Sequence, residues 1–355
     1  MKKFLALLLA LTMALALVAC GGGSDSGDTG AGTTGGDSES GFEPMTWKFA
    51  CSATETSPWV DGAKEFARIV GEKTGGAITV QYYPADQLTA GSQTDGIQAL
   101  MDGTTELSMH SNLIWSSFDQ RFNVVSLPFL FDSVEEADAA LDGAGGQALG
   151  EILESEYNVH LLGIAENGFR HITNSKHAVT SLADMENLKI RVAGSQLLNR
   201  SYELWGADYT NANWSEVFTA LQTGTYDGQE NPLPTADAAS IQEVQSYLTY
   251  WTGAYDCLFF CMNADLYNSL SPELQTIVDE AGQEACVYER ELNRGQDQEI
   301  MDKWAEAGVE VTELSADAAA EFAEASAPVY DEFADELTPE LIEAFTSVTQ
   351  ADNAA

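Results

Sequence analysis

TWKFACSATETSPWVDGAKEFARIVGEKTGGAITVQYYP, residues 46–84, is the stretch that decides the fold. TWKFACSA alternates as a strand does. Beyond it Val60, Ala63, Phe66, Ala67 and Val70 fall at helical spacing, with Ser57-Pro58 as a start and Gly75-Gly76 as a stop. AITVQYYP then reads as a second strand, DGIQALMDG (95–103) as a second helix and TELSMHS (105–111) as a third strand. A β-α-β-α-β opening predicts an α/β fold with a mostly parallel sheet and helices on both faces.

Upstream, MKKFLALLLALTMALALVAC has two lysines, an apolar run from Phe4 to Val18 and a small residue before Cys20. That pattern predicts a signal peptide over 1–19, and the run is too short to span a membrane comfortably. Leu17-Val18-Ala19-Cys20 is similar to a bacterial lipobox, so Cys20 is the expected lipidation site; a plain signal peptide with a coincidental cysteine is the alternative. Residues 20–43 are dominated by Gly, Ser, Thr and Asp, a flexible linker. The expected location is extracytoplasmic, lipid-anchored to the outer face of the cytoplasmic membrane.

The chain carries 15 Lys plus Arg against 56 Asp plus Glu, a net charge of −41. Such acidity argues against nucleic acid and anionic lipid surfaces as partners. Cys51, Cys257, Cys261 and Cys286 have neither metal-ligand spacing nor a CxxC pair, so buried thiols are expected and no metal or cofactor is implied. There is no GxSxG elbow and no Gly-rich phosphate loop.

Downstream, VHLLGIAENGFRHITN (159–174) reads as one long strand pattern able to cross between two lobes, and LKIRVA (188–193) as another strand. Helices are expected over 134–154 with an interruption at Gly145-Gly146, and over 181–188, 197–204, 215–223 and 236–248. LFFCMN (258–263) and VEVTEL (309–314) read as strands. From Ser271-Pro272 the helical pattern persists to Ala307, interrupted once by Gly295, and predicts a long helix running along both lobes.

Arg170 and Arg191 emerge at or near strand ends within apolar segments. A buried guanidinium needs a partner, and its planar fork suits a carboxylate. Two readings fit: a pocket for a small organic anion, or pairing with local Asp and Glu.

SEVFTALQTGTYDGQENPL, residues 215–233, closely resembles the signature of extracytoplasmic solute-binding proteins of tripartite ATP-independent periplasmic (TRAP) transporters, the DctP-like family that binds dicarboxylates and sialic acid. Glu216, Ala220, Leu221, Gln222, Gly224, Asp227, Gly228, Gln229, Glu230, Asn231 and Pro232 carry the match. GAKEFARIVGEKTGG, YYPADQL, SLPFLF, GFRHITNSK and LKIRV match in order, so the resemblance runs from Thr46 to about Glu313.

The resemblance implies a two-lobed, periplasmic-binding-protein-like fold with a ligand cleft between lobes. It implies capture of a small organic acid and its delivery to separate TRAP membrane subunits, with no catalysis and a monomeric state; a sensor for the same acids is the alternative. It assigns the ligand carboxylate to Arg191, with Arg170 and Asn231 completing a polar clamp. Gln93 stands where an acidic residue is usual, and Ala193 where proline often follows the arginine segment. Gln93 and the loop from Asn112 to Trp115 are expected to choose among acids. Trp214 and Tyr255 are candidates for lining the pocket, with plain core as the other reading, and Asp227 and Glu230 shape a turn. The lobes are expected as 44–167 plus 257–296 and 168–256 plus 297–350.

Overall fold

The computed structural model describes residues 41–352; the expected signal peptide and Cys20 lie outside the described residues. β1 (Met45–Cys51) pairs in parallel with β2 (Ile78–Tyr83) and β3 (Leu107–Ser111). Between them run α1 (Pro58–Lys73) and α2 (Gln93–Met101), as the opening stretch predicts. Ser57 caps α1, its hydroxyl accepting from Trp59 N at 3.3 Å, and Pro58 occupies the first turn, where a missing N–H is harmless. Val60, Ala63, Phe66 and Val70 form the buried face of α1. Against them Phe260 meets Phe66 and Phe49 edge-on, at 5.0 and 5.8 Å between centroids.

After α3 (Asn112–Trp115), the chain forms α4 (Val134–Leu141) and α5 (Ala144–Tyr157). The break falls at Asp142 and Gly143, ahead of the expected Gly145-Gly146. Gly146 lies inside α5, at a position where a Cβ would sit 1.7 Å from Leu141 O and only glycine fits.

The expected long strand is two strands in different sheets. β4 (Val159–Phe169) belongs to the first sheet and β5 (His171–Asn174) to the second, with Arg170 alone between them. The second sheet gains β6 (Lys189–Val192), β7 (Asp208–Asn211), β8 (Gly228–Asn231) and β9 (Tyr247–Tyr250). α6 (Gln196–Leu204), α7 (Trp214–Gln222) and α8 (Leu233–Ala238) connect them.

Two expectations are corrected here. Glu230, expected in a turn with Asp227, lies instead in the buried strand β8, between β5 and β6, and Asp227 directly precedes it. The helix expected over 236–248 is instead the short α8, a left-handed residue at Ser240 (φ 57) and β9. Tyr-Leu-Thr-Tyr suits a strand paired on both sides, and that pairing outweighs the local periodicity.

β10 (Tyr255–Asn263) returns to the first sheet, antiparallel to β3 and β4. α9 (Ala264–Ser269) leads into the expected helical run over 271–307, which is divided at Gly295 and Gln296 into α10 (Pro272–Arg294) and α11 (Asp297–Glu306). α10 packs on α1 and β4 of the first sheet. α11 packs on α8 and on β11 (Glu310–Glu313), an edge of the second. The strand orders are β2-β1-β3-β10-β4 and β11-β9-β5-β8-β6-β7.

The last helices are α12 (Ala316–Glu332), α13 (Ala334–Leu337) and α14 (Pro339–Asp352). α12 packs on α6, beside the second sheet, but α14 packs on α4 and α5, with Leu341 and Phe345 in the core they share. The expected extent of the second lobe, 297–350, therefore differs at its end: the apolar face of α14 is covered by helices next to β4. All four cysteines in this body are free and buried.

The two sheets are joined by three chain crossings: Arg170 between β4 and β5, 251–254 between β9 and β10, and 295–296 between α10 and α11. Asn293 ties two of them together, its amide donating to Asn167 O at 3.0 Å.

Candidate functional site

The C-terminal ends of β1 and β3 in one sheet face those of β6 and β8 in the other, the place where α/β sheets bind ligands. A small cavity of about 30 Å³ lies there. Ser52, Trp59, Gln93 and Asp256 contribute from the first sheet's side; Arg191, Trp214 and Asn231 contribute from the second's; Arg170 sits at a crossing.

Strand alternation explains Arg191. Ile190 and Val192 point into the apolar core, so Arg191 points the other way, toward the cleft. It is 2 % exposed. Nε and Nη2 donate to Ala212 O at 3.0 and 2.7 Å, and Cζ stands 5.6 Å from the centre of the Trp214 ring. Nη1 has no protein acceptor among the described residues. Each of the other six arginines lies within ion-pair distance of a carboxylate; for Arg191 there is none among the described residues. Burial, reinforced by Arg170 and opposed by Glu230, lowers its pKa to about 10, so it remains a cation at neutral pH.

Arg170 is the opposite case. Nε and Nη1 bond Glu230 and Asp256, and Nη2 donates to Glu230 Oε1 at 2.9 Å, Glu230 O at 2.8 Å and Asn231 Oδ1 at 3.1 Å. Both carboxylates are bonded again: Glu230 Oε1 accepts from Ala193 N at 3.0 Å. Asp256 accepts from the Ser111 hydroxyl and the Asn167 amide, each at 2.7 Å. Burial pushes the Asp256 carboxyl above the usual range, against the pull of Arg170. Arg170 thus lines the cavity with its charge already paired and one Nη1 proton left over, and its partners come from β8 and β10, not from its own neighbourhood in sequence.

Asn231 lines the cavity beside it. Its oxygen accepts from Arg170, and its amide donates to Gln229 Oε1 at 2.8 Å, which leaves one of two amide protons.

Gln93 reaches across the cleft. Nε2 donates to the Ser52 hydroxyl at 3.2 Å, while Oε1 accepts from Trp214 N at 3.1 Å, the first turn of α7. Gln93 N donates to Asn213 Oδ1 at 3.4 Å, and the Ser215 hydroxyl to Gly91 O at 3.1 Å. Thr54 and Ser117 make similar bonds, to Ala238 O and Gly194 O at 3.2 and 3.1 Å. The jaws therefore touch directly at the rim.

Asn112 is not brought to the cavity. It is fully buried behind the wall, donating to Phe122 O and the Ser126 hydroxyl at 3.0 Å and accepting from Cys257 N at 3.0 Å. From that loop Ile114 reaches the cavity instead. Tyr255 belongs to the core as well, its hydroxyl donating to Glu166 at 2.7 Å. Asp256, Asn167 and Trp59 were missed. Trp59 follows the cap of the first helix after a parallel strand, a legible position; nothing local marks the other two.

The family model for bacterial extracellular solute-binding proteins, family 7 (DctP), matches residues 49–337. The chain is 32% identical over 274 residues to the 2,3-diketo-L-gulonate-binding periplasmic protein YiaO of Escherichia coli (strain K12), covering 77% of this chain and 83% of that one. Its fold matches the sugar acid binding protein DctPAm from Advenella mimigardefordensis strain DPN7T in complex with galactonate. The TM-score is 0.83 at 29% identity, over 87% of this chain and 99% of the other. A TRAP periplasmic solute binding protein from Shewanella oneidensis with bound succinate matches at TM-score 0.81 and 25% identity, over 86% and 99%.

Proposed function

The chain belongs to family 7 of the bacterial extracellular solute-binding proteins, whose role is delivery of a captured solute to TRAP transporter membrane subunits, and from that premise we propose that Arg191 binds the carboxylate of a small organic acid held in this cleft. The observation that carries the reading is a buried guanidinium with no carboxylate of its own, open to a cavity. A buried charge left unpaired is costly, and a ligand carboxylate removes that cost through a planar pair of hydrogen bonds. The acids held by the relatives, a diketogulonate, galactonate and succinate, support the same chemistry.

In this reading Asn231 gives its remaining amide proton to the acid, and Trp214 covers the ion pair. Arg170 acts at second hand: it fixes Asn231 and neutralises Glu230 and Asp256. Gln93 is a clasp between the jaws, which swing about the three sheet-to-sheet crossings and the link from α12 to α14. The first body is 44–167 with 257–296, and the second 168–256 with the chain from 297 through α12.

We also propose export by residues 1–19, a lipid on Cys20 and a tether over 20–43, with the body acting as a monomer. Membrane fractionation of Cys20→Ser tests the anchor: a variant still pelleting with membranes would end that reading.

Titration calorimetry with a panel of organic acids tests the site. Arg191→Gln should weaken binding by about 2–5 kcal/mol, as breaking a buried charge pair does. Unchanged affinity would remove Arg191 from the site.

A further inference from the structure

Resting on that carboxylate reading, the charge balance of the cavity walls says how many charges the acid carries. Three ionisable side chains line the cavity: Arg170, Arg191 and Asp256. Arg170 is shared by two carboxylates, Glu230 and Asp256, so that corner offers no positive charge to a ligand. Among the described residues, Arg191 is left as the one wall cation without a carboxylate partner. The other polar wall groups, among them Ser52, Gln93, Asn167, Asn231 and Thr235, are neutral hydroxyls and amides. An adjoining cavity beyond Gln93, lined by Thr94, Ser117, Asn211 and Asn213, is again without an ionisable side chain.

We propose that the cleft selects acids with a single carboxylate whose other carbons carry hydroxyl or carbonyl oxygens, and discriminates against dicarboxylates of the same length. A second carboxylate would have no cation to meet and would share an enclosed space with Asp256, leaving a buried anion uncompensated. Hydroxyls are satisfied by the amides and hydroxyls present, while the Trp59 and Trp214 rings offer faces to the carbon chain.

The test uses the purified full chain and pairs of acids that differ only in oxidation at the far carbon: threonate against tartrate, and gluconate against glucarate. The monocarboxylate of at least one pair should bind, with its dicarboxylate weaker by at least about 30-fold, and Arg191→Gln should abolish both. Asp256→Asn removes a wall charge while keeping its shape, and should narrow the ratio. A ratio below about 30-fold, with binding still lost in Arg191→Gln, overturns the single-charge inference and leaves the carboxylate reading standing. Binding of neither acid of any pair, binding of threitol or glucitol as tight as that of the acids, or indifference to Arg191→Gln overturns both.

Discussion

Gln93 and Trp214 stand on opposite jaws, and the side-chain oxygen of one accepts the backbone N–H of the other at 3.1 Å. That N–H is in the first turn of α7, where no carbonyl of the helix can accept it, so the bond caps a helix and holds the jaws together at once. Its neutral amide, in place of the usual carboxylate, needs no counter-ion in this contact. Gln93→Ala is expected to weaken ligand binding by about 1 kcal/mol, the usual net worth of such bonds, and to do so through faster release. Stopped-flow dissociation checks it; an unchanged off-rate would show that the clasp contributes nothing to closure.

Arg170 and Arg191 are equally buried but should respond oppositely to the same change. Arg170→Met strands Glu230 and Asp256 without their cation and is expected to cost about 3–5 kcal/mol of stability. Arg191→Met removes an uncompensated charge and two bonds to one carbonyl, opposing effects that should leave unliganded stability within about 1 kcal/mol of the parent. Urea unfolding without added acid separates them. Equal losses would mean that Arg191 has a structural partner after all.

His171 should make the fold acid-sensitive. It is buried, accepts from Trp251 N at 3.2 Å and stacks on Tyr250 at 4.2 Å. Burial chiefly, aided by the charge of Arg170, lowers its pKa to about 3 from a normal 6.5. Between those values the unfolded chain takes up a proton that the folded chain refuses, so this contribution is complete above 6.5 and is lost as the pH falls. The loss is about 2 kcal/mol by pH 5. His171→Gln, which keeps an acceptor, should reduce the drop in stability between pH 7 and pH 5 by about that amount. An identical drop in both proteins would refute it.

What was legible in the chain follows from how local its cause is. The opening strands and helices show their own periodicity and caps, and Arg191 stands out as a cation between Ile190 and Val192. The fate of Arg170 is set by Glu230 and Asp256, 60 and 86 residues away, and no spacing rule announces such pairs. Asn112 lies beside wall residues, but its side chain turns inward to Phe122 O, Ser126 and Cys257 N, a choice made by packing. Likewise the apolar residues of 236–248 have helical spacing, yet Leu248 and Thr249 are claimed by strands on either side.

The position of β10 between β3 and β4 sets the order in which the chain can complete itself. The first sheet is begun by Met45 and cannot close until Asn263 has emerged, after β5 to β9 of the second sheet. The second sheet is in effect an insertion into an unfinished first. Until then Leu107–Ser111 and Val159–Phe169 each present an unpaired edge, a template for pairing with other chains. During synthesis the vulnerable interval is the emergence of those middle strands. A product truncated between Phe169 and Tyr255 would keep both edges permanently.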